Sequence, residues 1–131
     1  MRSIDTRRHK QSPLRDVAGM LRSFSYAAFA ALRLVTPDRA LDMSVLEQSA
    51  AEWERGARRL FLEGYADTTG LALQDPSGAL ADPLLELLLW DKVCYEIRYE
   101  LANRPAWIIL PLRGLIALLE NTRIPEMAEG T

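Results

Sequence analysis

The sequence predicts an all-α chain with three long helices and a short C-terminal fourth. Three observations carry that expectation. Apolar residues recur at spacings of three and four over long stretches, the repeat of one helical face. Pairs such as Ser12-Pro13 and Asp82-Pro83 stand where helices would begin, a side-chain cap followed by the residue whose fixed φ suits the first helical position. No stretch alternates as a half-buried strand does, and only "WIIL" at Trp107–Leu110 is strand-like, too short for a sheet.

Ser12-Pro13 opens the first helix. Leu14, Val17, Ala18, Leu21, Phe24 and Ala28 line one face of it, and Thr36-Pro37-Asp38 stops it. Asp16 is a helix-start carboxylate, favoured there by the helix dipole. Ser44-Val45-Leu46-Glu47 matches a capping box and introduces the second helix. Ala50, Trp53, Ala57, Leu60, Phe61 and Gly64 form its expected apolar side, with Glu52, Glu54, Arg55, Arg58 and Arg59 mostly on the solvated side. It runs out near Asp67-Thr68-Thr69-Gly70. Asp75-Pro76-Ser77-Gly78 marks a turn within the following loop. The third helix starts at Asp82-Pro83 and ends at Arg104-Pro105, because a residue before proline avoids the helical region. Pro111 opens the last helix, Leu112 to Glu120, with Leu112, Leu115, Ile116 and Leu119 on one face. Residues 1–11 are expected to be a disordered or extended tail, 12–121 the helical domain, and 122–131 a C-terminal tail.

Composition narrows the function. The chain has 131 residues, enough for one domain with a real core, and 49% hydrophobic and 26% charged residues suit a globular chain. A net charge of −2 provides no basic field for nucleic acid, and "RRHK" at Arg7–Lys10 reads as a solvated tail. No apolar run approaches a membrane span; the longest, Leu84–Trp90, is broken by Glu86. The one cysteine, Cys94, rules out an internal disulfide and fits a cytoplasmic protein, with its thiol expected among apolar neighbours.

The third helix draws attention. Stepping about 100° per residue, Trp90, Cys94, Ile97 and Leu101 cluster on one side. Lys92, Tyr95, Glu96, Tyr99 and Asn103 cluster on the other. Tyrosine combines a flat apolar ring with a hydroxyl, and lysine and glutamate add donors and acceptors. Such a face suits a sugar, which has apolar C–H faces and many hydroxyls. The same pattern also fits tyrosines packed at the rim of a core.

"SPLRDVAGMLRSFSYAA" (Ser12–Ala28), "FLEGY" (Phe61–Tyr65) and "DKVCYEIRYELANRPAWIILPLRGL" (Asp91–Leu115), in this order, resemble the C-terminal part of bacterial maltokinase. That part also ends the trehalose synthase–maltokinase fusion proteins. The resemblance implies an ATP-dependent kinase of maltose, folded similarly to aminoglycoside and choline kinases, with ATP and magnesium used by the complete enzyme. Two departures stand out. Ala106 replaces an aspartate in the family's Asn-Arg-Pro-Asp-Trp, and Asp91-Lys92-Val93-Cys94 replaces Glu-Lys-Ala-Leu.

Phosphoryl transfer needs a phosphate-cradling loop and metal-binding and catalytic carboxylates. The sequence has no Gly-rich nucleotide loop, no Asp-x-Glu, and only His9, which is not followed by Gly-Asp. Under the resemblance the chain lies past the catalytic centre. It is therefore expected to have no catalytic residue, to hold no cofactor or metal, and to be inactive alone. Lys92, Tyr95, Glu96 and Tyr99 are its expected substrate-binding residues, for a weakly held maltose-like sugar. The expected partner is the missing catalytic segment or a second copy, as a homodimer through the first helix, where Val17, Met20, Phe24 and Tyr26 would be uncovered. A stand-alone helical module that self-associates, or one that binds sugar without catalysis, remains open.

Overall fold

A computed structural model describes residues 13–35 and 43–121. Among these residues four α-helices follow in order: α1 (Pro13–Leu34), α2 (Met43–Thr69), α3 (Pro83–Asn103) and α4 (Ile109–Asn121), with a 3-10 turn at Pro105–Trp107 before the last. There is no strand among the described residues; one isolated antiparallel bridge joins Gln74 and Leu80. The all-α expectation holds. Also among the described residues, no helix is long and apolar enough to cross a membrane. The expected tails at 1–11 and 122–131, the Ser12 cap and the Thr36-Pro37-Asp38 stop lie outside the described residues.

The chain forms two compact units that divide between Lys92 and Val93. In the first, α1 lies on α2. Val17, Ala18, Leu21 and Ala28 are buried, matching the apolar repeat of α1. The Phe24 ring meets Trp53 edge-on at 6.2 Å and Phe61 at 5.9 Å, the tilted geometry that aromatic quadrupoles favour. Of the residues expected to be uncovered, Val17 is therefore buried by its own chain, and Phe24 and Tyr26 are half-buried. Met20 remains exposed.

The face of α2 departs from expectation. Only Leu62 is fully buried, while Trp53 and Leu60 stand in solvent at 51% and 64% exposure. Glu54 and Arg58, expected on the solvated side, are half-buried. The cause is polar: Ser25 of α1 donates a short hydrogen bond to Glu54, and Arg22, itself buried, donates to the Ser25 hydroxyl at 3.4 Å. Arg58 lies 4.0 Å from the same carboxylate. Burial holds the Arg58 guanidinium below its ordinary value, Glu54 opposes that shift, and Arg22 adds to it. Polar contacts between α1 and α2 thus occupy part of the side of α2 that its sequence pattern assigns to solvent. Ser44 sits within the first turn of α2, one residue inside its start at Met43, rather than ahead of it.

Gly70 ends α2, with φ +75° and its N–H donating to Ala66 at 2.8 Å, the left-handed helix stop that glycine adopts without strain. In the loop that follows, one oxygen of Asp75 accepts from the Ser77 N–H at 2.8 Å, the Ser77 hydroxyl at 2.5 Å and the Ala79 N–H at 3.1 Å. Gly78 turns the chain at φ +87°, and Leu73 is buried beside the turn. The Ser77 bond, followed by the backbone donors, holds the Asp75 carboxyl below the ordinary carboxylate range. A depressed folded value means that the turn's stabilisation is present above the unfolded pKa and is lost as pH falls through the folded one. Amide shifts of Ser77 and Ala79 followed by NMR against pH should therefore show a midpoint below that of a free aspartate. A midpoint at or above the free value would contradict this geometry.

Asp82 caps α3 as expected, one carboxylate oxygen accepting from Leu84 N at 2.9 Å and Leu85 N at 3.1 Å. Asp82→Ala should cost about 1 kcal/mol in urea unfolding, the usual loss for a carboxylate cap.

In the second unit α3 stops at Asn103, and the chain passes through the 3-10 turn into α4. "WIIL" is not extended: Ile109 and Leu110 already belong to α4, which begins before Pro111. The proline is harmless there, because N–H groups in the first turn have no intrahelical acceptor. Leu110, Pro111 and Leu118 are buried, whereas Leu112, Ile116 and Leu119, expected to form the buried face, are exposed. On α3, Leu85 and Leu89 are buried in the first unit and Val93 and Glu100 in the second. Cys94 and Leu101, expected on the apolar side, are exposed. Both helices are apolar around most of their circumference, so periodicity alone does not select the buried side.

Candidate functional site

Tyr95 and Tyr99 stand one turn apart on α3, both on the solvent side, at 62% and 45% exposure. Their rings lie 6.3 Å apart and nearly parallel, at 21°. Neither ring is buried in a core, and each leaves much of its surface open to solvent. Asn103, one further turn along, donates from its side chain to the Tyr99 carbonyl at 2.9 Å. Its amide is thereby committed to the end of the helix. Glu96 is half-buried on the flank of the tyrosine pair.

Lys92 goes elsewhere. The end of its side chain passes over α1 at Gly19, where an added Cβ would come within 3.3 Å of Nζ. Of the four residues expected to bind substrate, the structure joins Tyr95 and Tyr99 by ring contact, leaves Glu96 beside them on the same helix, and directs Lys92 to α1 within the first unit. A helix-wheel argument places Cα positions but does not see which neighbour attracts a long flexible side chain.

In the sequence the residues that follow show only a helix stop. Glu100 is fully buried, and both its oxygens are engaged by Arg104, through Nε at 3.1 Å and a terminal nitrogen at 2.7 Å. The Arg104 guanidinium also lies 4.1 Å over the Trp107 ring. A bidentate pair of this kind is the strong form of an ion pair, and the aromatic face holds the guanidinium plane from its other side. The signal was present as a Glu–Arg spacing of four at a helix end, directly before proline. "ELANRPAW" is thus a corner that locks the end of α3. Ala106 is exposed on that corner.

Among the described residues, no three His, Cys, Asp or Glu side chains come together as a metal ion would require. No protein-family model matches the chain.

Proposed function

We propose that the chain is the helical, sugar-side part of a cytoplasmic maltokinase-like ATP-dependent sugar kinase. ATP and magnesium would be bound by a catalytic segment carrying the motifs that this sequence lacks. The observation that carries the reading is the exposed, near-parallel Tyr95–Tyr99 pair, inside the longest of the segments that bear the resemblance. A stacked pair of exposed tyrosines presents apolar area for the C–H face of a pyranose ring and two hydroxyls for its edge. Glu96 adds an acceptor. Tyr95, Tyr99 and Glu96 are the wall, and Lys92 would join them only by leaving Gly19.

This reading includes docking of α1 onto the catalytic segment, or a homodimer through α1. The apolar groups that α1 presents for either are Met20 and Leu34.

A single wall leaves a bound sugar mostly in water, whereas good sites bury most of their ligand. Maltose should therefore bind the isolated chain weakly, with a dissociation constant on the order of millimolar or above. NMR titration should shift the ring signals of Tyr95 and Tyr99 first, and Tyr95→Ala should abolish the response. Absence of any ring shift at high maltose concentration would remove the sugar from this surface.

A further inference from the structure

The exposed side of α2 has a pattern that its own unit uses only at Trp53, which touches Phe24, and that the sugar-kinase reading does not use. Val45, Ser49, Trp53, Gly56, Leu60 and Gly64 fall on one stripe about 100° wide along the helix. Trp53 and Leu60 are largely in solvent, Val45 is exposed, and an added Cβ at Gly56 or Gly64 would meet nothing within 4 Å. Along the stripe, large and small residues alternate: Val45, Ser49, Trp53, Gly56, Leu60, Gly64.

We infer that α2 pairs with α2 of a second copy, antiparallel, about a two-fold axis that crosses between Glu54 and Arg55. In that single register every large residue of the stripe meets a small one. Trp53 lies over Gly56 of the second copy, Leu60 over Ser49, and Val45 over Gly64. An isologous contact requires a patch complementary to itself, and a regular alternation of size read in reverse has this property. The glycines let the helix backbones approach closely, so the tryptophan ring is buried against backbone.

Charge supports the same occupant. Glu52 and Arg59, both exposed, flank the stripe on one side. Antiparallel pairing brings like flanks together, so Glu52 faces Arg59 of the second copy, and Arg59 faces its Glu52. Glu63, at the stripe's edge, is held by Arg59 of its own helix at 3.8 Å, which leaves that guanidinium beside the seam. Trp53 is also prepared for the role. Its ring already contacts Phe24, so little rotamer freedom is lost when its exposed part is covered. The surface is on α2, not on α1, and the inference is independent of any sugar or nucleotide.

The test is sedimentation velocity on the full chain from low to high micromolar concentration, with far-UV circular dichroism of each variant. The wild type should move from monomer to dimer over that range. Gly56→Leu should weaken the dimer at least about tenfold without loss of helix content, because leucine fills the space that the second copy's Trp53 needs. Glu52→Arg should weaken it, and Glu52→Arg with Arg59→Glu should restore it. A wild type that stays monomeric at high micromolar concentration overturns the inference. So does a Gly56→Leu variant that dimerises as well as the wild type, or a charge swap that fails to restore what the single change lost.

Discussion

Arg104→Ala should lower stability by about 1–3 kcal/mol, the cost of taking the partner from a buried acceptor: the Glu100 side chain is fully buried, although that of Arg104 is 43% exposed. Glu100 is fully buried and takes two hydrogen bonds from the Arg104 side chain. Removing the guanidinium leaves its carboxylate in a dry place with its strongest partner gone, and also uncovers the Trp107 ring. Arg104→Lys should recover only part of the loss, since an ammonium can neither fork onto both oxygens nor stack flat on indole. Replacing both members with leucine should cost less than Arg104→Ala alone, because no charge is then stranded. Urea unfolding of the three variants checks the order. A loss below about 0.5 kcal/mol for Arg104→Ala, the range of ordinary surface changes, would show that the pair does not hold the corner.

Leu21→Ala should cost about 3 kcal/mol, and Leu60→Ala less than about 0.5 kcal/mol. Leu21 is 1% exposed on the buried face of α1, so its truncation opens a cavity. Leu60, which the sequence pattern placed on the buried side of α2, stands at 64% exposure and has little to lose. The comparison is made at a concentration at which the chain is monomeric. Equal losses at the two positions would mean that α2 presents its Trp53–Leu60 side to the core after all.

The contrast between those two leucines shows what could be read in advance. Helix boundaries were legible where their causes are local. Asp82 binds amides two and three residues ahead, Gly70 supplies a left-handed stop, and Arg104-Pro105 ends α3 as proline's ring requires. The α1 face was legible because Val17, Ala18, Leu21 and Ala28, all buried, recur at helical spacing, although Met20 and Leu34 lie outside it. The faces of α2, α3 and α4 were not, since their apolar residues lie on several sides and the choice among them is made by tertiary partners. Ser25 draws Glu54 inward on α2, and Arg104 permits Glu100 to be buried on α3. Within the candidate site, Tyr95 and Tyr99 could be paired from their spacing of four. The direction of Lys92 is set by α1, whose Gly19 lies beneath its side-chain end and is far away in sequence.

The proposed sugar-side role, with the catalytic side in another segment, is checked by co-expressing the chain with a maltokinase-like catalytic segment that carries the His-Gly-Asp and Asp-x-Glu motifs, then assaying maltose-dependent consumption of ATP. The pure 131-residue chain should show no activity, and the reassembled pair should show activity that Tyr95→Ala and Tyr99→Ala each reduce. Maltose-dependent ATP consumption by the pure chain would contradict it, as would a stable complex of the two segments that phosphorylates no sugar.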